Sequence, residues 1–353
     1  MRRTDGSFAE QLEQDWYLPR LTPLTSALRP LAVVFGGLAW LRRMAYRAGL
    51  LRSQRVGVPV VIVGNITVGG TGKTPLVVWL SEALRAAGLK PGIVLRGYRA
   101  GGADAGAVRE VRADSDAASF GDEAVLLARR TSVPVFAGRD RPAAARALRQ
   151  ANPEVDVILS DDGLQHYAMA RDFEIAVFDR RGTGNGRLLP AGPLREPVSR
   201  LASVDAIVCH ACGCEAAYPM ASETPLLKMR LAGTVFVNLH DASRRCSAAD
   251  LAERQCYAIA GTGAPHRFFD ALLELGIVGA TTRAFADHHR YSAGDLAFAQ
   301  GGTLLMTEKD AVKCATLAHP DAWYLPVSAT FVDDDGRRLL AMVMEKIDGY
   351  PPA

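Results

Sequence analysis

The chain has 353 residues, of which 49% are hydrophobic and 22% charged, and its formal net charge is +3. This length allows two α/β domains, and the hydrophobic content excludes an intrinsically disordered protein. A net charge this small gives no indication of nucleic-acid binding.

The six cysteines are unevenly spaced, and we recognise no secretory signal in the sequence. They predict a reducing, cytoplasmic compartment rather than a disulfide framework. Residues 209–214 hold three cysteines and one histidine. Structural zinc sites usually draw their ligands from two separated pairs, so we interpret Cys209, Cys212 and Cys214 as incidental.

Residues 1–50 are predicted to form an N-terminal helical segment that binds a membrane interface. Their longest uncharged apolar run, residues 30–41, is too short to span a bilayer. Large apolar residues recur there at helical spacing, and arginines outnumber acidic residues in the segment. This pattern favours an amphipathic helix on an anionic membrane surface. A helix that packs on the protein core fits the same pattern, and both interpretations stay open.

A glycine-rich segment, residues 67–74 (TVGGTGKT), lies between a predicted strand at 58–63 and a predicted helix from Pro75. Glycines there let backbone N–H groups surround phosphate oxygens, Lys73 reaches the β- and γ-phosphates, and the Thr74 hydroxyl binds Mg²⁺. The strict P-loop pattern has glycine where this chain has Thr67, but the strand–loop–helix context fits. The residues expected to bind the nucleotide are Thr67, Val68, Gly69, Gly70, Thr71, Gly72, Lys73 and Thr74.

Predicted strands and helices alternate along the chain, which is typical of an α/β protein with a parallel sheet. The alternation pauses near residue 230 and then resumes. We therefore expect a P-loop domain over residues 51–230 and a smaller α/β domain over 231–353, which ends in a helix at 335–347.

An apolar strand at 155–159 is followed by two carboxylates, Asp161 and Asp162. Ligands gather at the carboxyl ends of parallel strands, so these residues are expected to face the nucleotide and complete a Mg²⁺ site with Thr74. An ordinary turn after a strand is the alternative. No guanine-recognition element is visible, and ATP is the expected nucleotide.

Phosphoryl transfer needs a group that takes the proton of the acceptor. The candidates are Asp122, His166 and His288, and the residues alone do not rank them. An aspartate after a glycine, like Asp122, is most often a helix N-cap, and adjacent histidines in a loop, like those at 288–289, more often face solvent than act in catalysis.

The combination of motifs resembles the tetraacyldisaccharide 4′-kinase family, the lipid A 4′-kinases of Gram-negative bacteria. The most specific match is residues 184–197 (GNGRLLPAGPLREP). The others are residues 64–75, 96–98, 120–124, 160–166, 260–263, 287–289 and 307–310. They follow the family's order over almost the whole chain, and the family also has threonine or serine at position 67.

The resemblance implies a P-loop domain with a membrane-associating N-terminal helix, a smaller C-terminal α/β domain and an active site between them. It implies transfer of phosphate from ATP to the 4′-hydroxyl of tetraacyldisaccharide 1-phosphate, which gives lipid IVA. Asp122 would act as the base, with His288 rather than His289 as its partner, and Lys73 and Arg195 would neutralise phosphate charge. The residues expected to hold Mg²⁺, directly or through water, are Thr74, Asp161, Asp162 and Glu196.

The enzyme is therefore expected on the cytoplasmic face of the inner membrane, attached peripherally or monotopically, with a glycolipid substrate and without an obligate protein partner or nucleic acid. Two alternatives remain. A membrane-associated P-loop regulatory ATPase would hydrolyse ATP without an acceptor, and a P-loop kinase or ligase for a soluble metabolite would not need residues 1–50.

Overall fold

The computed structural model describes residues 8–97, 107–210 and 223–350. Its helices are α1 (Phe8–Trp16), α2 (Pro23–Ala27), α3 (Arg29–Arg47), α4 (Lys73–Ala86), α5 (Ala117–Phe120), α6 (Asp122–Arg130), α7 (Arg141–Ala151), α8 (Ala248–Ala252), α9 (Pro265–Glu274), α10 (Ala293–Leu296), α11 (Glu308–Cys314) and α12 (Asp335–Asp348). Its strands are β1 (Val60–Gly64), β2 (Pro91–Leu95), β3 (Arg109–Val111), β4 (Val135–Ala137), β5 (Val157–Asp161), β6 (Phe173–Phe178), β7 (Ala206–His210), β8 (Leu226–Ala232), β9 (Val235–Asn238), β10 (Arg245–Ser247), β11 (Cys256–Ala260), β12 (Thr281–Ala284), β13 (Thr303–Thr307), β14 (Ala322–Leu325) and β15 (Ser328–Phe331).

Nine of the described strands form the larger sheet, in the order β15-β8-β7-β6-β1-β5-β2-β4-β3. The strands from β8 to β4 run parallel, and β15 and β3 pair antiparallel at the two edges. β1, β2, β5 and β6 are buried throughout, as expected for a sheet covered on both faces. The predicted α/β class and parallel sheet are confirmed.

The smaller sheet has the order β10-β9-β14-β13-β11-β12 in the part of the chain that the structure describes. β12, β11, β13 and β14 are parallel, and β9 and β10 continue antiparallel. Its core includes Phe236, Leu251, Leu272, Leu305 and Trp323. This sheet lies within residues 235–325, which we call the second domain.

The end of the chain returns to the larger sheet, which differs from the prediction that residues 231–353 form one unit. β15 pairs with β8, and α12 buries Leu339 and Val343 in the same apolar cluster as Leu80 of α4. The physical reason is that the apolar face of α12 packs in the same helical layer as α4. The ring centroid of Phe331, in β15, also lies 4.5 Å from that of Trp79, in α4. The second domain is therefore inserted between β8 and β15, and the chain crosses between the two sheets twice.

α3 lies along the surface, with Ala32 as its buried residue. Six of its large apolar side chains are more than half exposed: Leu31, Val33, Val34, Leu38, Trp40 and Leu41. A β-carbon on Gly36 would come within 2.6 Å of Leu188, so the helix backbone approaches the 184–197 segment closely. The exposed apolar side chains do not fit the alternative of a helix that packs on the core. None of the described helices has the length and hydropathy required to cross a membrane.

Candidate active site

The glycine-rich loop connects β1 to α4, as the sequence predicts. Gly72, at φ +87°, precedes the first turn of α4, and Gly69 has φ +93°. Both values are in the region that favours glycine. The loop is held from outside: the Val68 N–H donates to the Pro193 carbonyl (2.9 Å), and Arg181 donates to the Gly70 carbonyl (2.9 Å). The loop therefore presents backbone N–H groups and a helix N-terminus to an anion.

Lys73 and Arg195 meet at the carboxylate of Asp162. The Lys73 Nζ lies 3.5 Å from Asp162 Oδ1, and Arg195 donates to both Asp162 oxygens at 3.1 and 3.0 Å. Burial opposes ionisation of Asp162, but the charges of Lys73 and Arg195 outweigh it and lower its pKa. Asn65, which the sequence analysis did not single out, accepts from Lys73 at 3.3 Å. The two cations predicted to neutralise phosphate are thus held together.

Asp161 lies next to Thr74 at the carboxyl end of β5. The Thr74 hydroxyl donates to Asp161 Oδ2 at 3.3 Å, whereas Asp161 Oδ1 is buried without a hydrogen-bond partner among the described residues. Burial, reinforced by the charge of Glu123, raises the pKa of Asp161 to about 7. A buried, unpaired carboxylate oxygen beside a P-loop threonine fits a divalent cation, which would supply the missing positive charge.

Glu196 belongs to the same network but has other partners. Its carboxylate accepts hydrogen bonds from Gln165 (2.7 Å) and from the hydroxyl of Tyr167, and Arg200 lies 3.4 Å away. Burial and the Glu196 charge raise the pKa of Tyr167 to about 12. Gln165 also accepts a hydrogen bond from Arg195 at 3.3 Å. Its amide therefore connects Glu196 to an arginine that is expected to neutralise phosphate charge.

Asp122 and His288 are brought together from the two domains. Asp122 begins α6, His288 lies in the loop after β12, and the His288 Nδ1 is 3.1 Å from Asp122 Oδ2. His289 instead lies 3.3 Å from Asp295 and packs against Phe285. The geometry therefore places His288, and not His289, against Asp122.

Asp122 and His288 shift each other's pKa. Burial raises the pKa of Asp122, but its hydrogen bond with His288 and the charge of Lys309 reverse this effect and lower the pKa to about 2. The hydrogen bond that the Asp122 carboxylate accepts from His288 raises the pKa of His288, against the effects of burial and Lys309. The pair therefore keeps its proton to a higher pH than an isolated histidine would.

A cationic pocket of about 500 Å³ adjoins the network, and we call it the arginine pocket. Its lining residues are Arg42, Gln54, Arg96, Arg139, Asp140, Arg141, Pro142, Gln165, His166 and Ala168. Arg141 is fully buried and donates to the carbonyl of Asp161 at 2.7 Å, and Arg42 comes from α3. Burial, with the charges of Arg141 and Arg96, lowers the pKa of His166 to about 3, so this candidate base is a neutral residue of the pocket wall.

The structure places Thr67–Thr74, Asp161, Asp162, Arg195 and Glu196 in one cluster. Sequence reasoning missed Asn65, Arg141 and Lys309. Asn65 lies within a matched motif and could have been found there, whereas nothing in the pattern around Arg141 marks it as buried. Tyr98, Cys212 and Cys214 lie outside the described residues, and Cys209 is buried in β7.

Comparisons with known proteins agree with this geometry. The family model described as tetraacyldisaccharide-1-P 4′-kinase matches residues 24–347. A tetraacyldisaccharide 4′-kinase of Azoarcus sp. (strain BH72) is 52% identical over 331 residues, which cover 94% of each chain. The enzyme of the same name from Dechloromonas aromatica (strain RCB) is 49% identical and covers 97% of this chain and 98% of its own.

A solved structure is also similar: the "apo" form of LpxK from Aquifex aeolicus in complex with ATP. It has a TM-score of 0.78 and 27% identity, and the match covers 92% of this chain and 99% of that chain. The glycine-rich loop, the paired carboxylates and the full-length matches lead to one conclusion: this chain belongs to the tetraacyldisaccharide-1-P 4′-kinase family.

Proposed function

We propose that this protein transfers the γ-phosphate of ATP to the 4′-hydroxyl of a tetraacyldisaccharide 1-phosphate at the cytoplasmic face of the inner membrane, giving lipid IVA. The observation that carries the proposal is the Asp122–His288 pair, at 3.1 Å, joined across two domains. Glu123, in the first turn of α6, lies close enough for its charge to raise the pKa of Asp161, so the start of α6 is near the P-loop carboxylates. A switching ATPase without an acceptor gives no reason for such a pair.

The P-loop residues and the two cations would bind and orient the nucleotide. Thr67 to Thr74 surround its phosphates, and Lys73 and Arg195 neutralise the negative charge that spreads over the transferred group. Thr74 and Asp161 would hold Mg²⁺, which would withdraw negative charge from the phosphate groups. For Asp162 and Glu196 the same role stays a prediction, and in this structure their carboxylates already accept hydrogen bonds from other side chains.

Asp122 would take the proton of the acceptor hydroxyl. The hydrogen bond with His288 helps to lower the pKa of Asp122 to about 2, so the carboxylate by itself is a weak base. The same hydrogen bond gives the incoming proton a second acceptor, since the pair can hold it between Asp122 Oδ2 and the imidazole. Asp122 therefore contacts the reacting hydroxyl and His288 accommodates the positive charge.

The arginine pocket would bind the 1-phosphate end of the glycolipid. It combines Arg42, Arg96, Arg139 and Arg141 with the neutral His166. A guanidinium group can donate two parallel hydrogen bonds to the oxygens of one phosphate. Arg141 lines this pocket and also donates a hydrogen bond to the Asp161 carbonyl. A disaccharide bound in the pocket would therefore lie close to the P-loop.

α3 would insert its apolar face into the membrane beside that pocket. Val34, Leu38 and Leu41 are 60, 63 and 57% exposed and follow one another at helical spacing. Arg42, at the end of the same apolar run, lines the arginine pocket. A helix that lies in the headgroup layer would thus bring the phosphate-binding arginines to the surface from which the substrate is taken.

The direct test is transfer of label from γ-labelled ATP to tetraacyldisaccharide 1-phosphate in detergent micelles, with Mg²⁺ or with EDTA. We expect labelled lipid that depends on Mg²⁺. Release of labelled inorganic phosphate without labelled lipid would contradict the proposal and favour the regulatory ATPase.

Asp122→Asn is expected to lower kcat by about 10²- to 10⁴-fold with little change in KM, because a base acts in the transition state. In the unsubstituted enzyme kcat should rise with pH through a value above 6.5, since the unprotonated pair forms only above the raised His288 pKa. His288→Gln should move this acid limb to lower pH. A wild-type limb below pH 6.5, or full activity of Asp122→Asn, would remove the pair from the mechanism.

Arg139→Gln is expected to raise the KM for the glycolipid by about tenfold or more, since it removes a charged hydrogen-bond donor from the pocket. The KM for ATP should stay within about twofold. Arg85→Gln is the charge-matched control, because Arg85 lies in the last turn of α4 and does not line the pocket. An equal effect of both substitutions would show that the pocket does not bind the substrate.

The triple substitution Val34→Ser, Leu38→Ser and Leu41→Ser is expected to shift most of the protein out of the vesicle fraction in a flotation assay with anionic vesicles, because each serine removes buried apolar area from the lipid contact. Leu273→Ser with Val278→Ser removes two exposed apolar side chains of the second domain and serves as the control. Unchanged flotation of the triple variant would show that α3 does not bind membranes.

A further inference from the structure

The first turn of α11, in the second domain, faces both ends of α6 in the larger domain. Glu308 reaches the C-terminal end, where Arg130 donates to its two oxygens at 3.0 and 2.8 Å. Lys309, the next residue, reaches the N-terminal end at Asp122 and Glu123. Two neighbouring residues of opposite charge therefore bridge the domains at the two ends of one helix.

The Lys309 ammonium lies among three carboxylates. Its Nζ is 3.3 Å from Glu123 Oε1, 3.7 Å from Asp122 Oδ2 and 3.6 Å from Asp287 Oδ1. Asp122 and Glu123 belong to α6, whereas Asp287 immediately precedes His288 and accepts its backbone N–H at 3.0 Å. One cation thus contacts the start of α6 and the loop that carries the histidine.

We propose that Lys309 is a positioning residue that assembles the Asp122–His288 pair across the two domains and maintains its charge state. This inference rests on the proposed function, since it assigns Lys309 a role in the same site. Lys309 does not contact the acceptor in this account. It acts through Asp122 and Asp287.

Charge balance supports this role. Without the ammonium, Asp122, Glu123 and Asp287 would face one another, and like charges at such distances repel. His288, the hydrogen-bond partner of Asp122, lies in the same loop as Asp287 and has φ +58°. The repulsion between that loop and the start of α6 would disturb the geometry of the pair, so the pair depends on a cation between the domains.

The protonation of the pair should respond to the same charge. The charged groups that act on Asp122 include His288, Lys309 and Lys313, and those that act on His288 include Lys309, Asp122 and Asp287. Lys309 lowers the pKa of both members. As long as His288 stays hydrogen-bonded to Asp122, removal of the Lys309 charge therefore shifts the titration of the pair upward, whichever member carries the proton.

A contact that only joins the domains would behave differently. The Arg130–Glu308 ion pair bridges the same two helices, yet neither residue is a hydrogen-bond or ion-pair partner of Asp122 or His288 among the described side chains. Glu308→Gln weakens the bridge at that end and is the matched control for Lys309→Met, which removes the charge at similar side-chain length.

The experiment measures kcat and both KM values against pH for the full-length wild type, Lys309→Met, Lys309→Arg and Glu308→Gln. We expect Lys309→Met to lower kcat at least tenfold at neutral pH and to move the acid limb of the kcat–pH profile upward by about one pH unit. KM for ATP should change less than threefold. Lys309→Arg, which keeps the charge, should return the limb to within about 0.3 units of the wild type, and Glu308→Gln should leave it in place.

An NMR titration of the His288 imidazole, assigned with His288→Gln, is the second readout and requires no activity. Its pKa should rise in Lys309→Met and not in Glu308→Gln. If the wild type transfers no phosphate to the glycolipid but the imidazole shifts, the proposed function fails and the inference about Lys309 stands. An unshifted imidazole and limb, or equal shifts in Glu308→Gln, would overturn it.

Folding of the variants is checked by circular dichroism. If Lys309→Met does not fold, Lys309→Gln, whose amide keeps a donor without the charge, takes its place in both measurements with the same expected shift. Failure of both neutral variants to fold would assign Lys309 to fold stability and would also overturn the inference.

Discussion

Buried negative charge is the constraint on which the rest of the cleft depends. Asp122 and Asp161 are buried and Asp162 is partly buried in the region that we propose binds a nucleotide with several negative charges, and each carboxylate requires its own cation. Asp162 has Lys73 and Arg195, and Asp122 has His288 and Lys309. Asp161 has the buried Arg141 behind it and one oxygen without a partner. That oxygen is where a divalent cation fits.

The fold explains why these charges meet. β1 and β5 are neighbours in a parallel sheet, so the glycine-rich loop and the two aspartates emerge at the same edge. The second domain, inserted between β8 and β15, contributes the His288 loop and Lys309 from the opposite side. Because the chain crosses between the sheets twice, the relation of the two domains is fixed by two connections and by the contact of α6 with α11.

The local sequence pattern was sufficient to predict part of the candidate site. The glycine-rich loop and the acidic end of β5 could be predicted because each lies within a few residues of the element that positions it. The Asp122–His288 pair could not be derived in this way, since 166 residues separate its members. It came from the resemblance to a family, and the structure then distinguished His288 from His289 by their contacts.

Other features could not be predicted from the sequence. The short strand β15 has four residues, and the sequence of α12 does not show on which domain its apolar face packs, so the return of the chain was missed. Lys309 lies in the matched segment 307–310, but its position between three carboxylates depends on tertiary contacts. Arg141 begins a helix, where an arginine is normally solvated, and only the packing of α7 buries it.

The central claim is that Asp122 and His288 act as one unit across the domain boundary. A double-mutant cycle on kcat tests it most directly, with Asp122→Asn, His288→Gln and the two combined. The account predicts that the double variant is slower than the slower single variant by no more than about threefold, since either substitution already disables the unit. Losses that multiply in the double variant would show that the two residues act independently and would contradict the account.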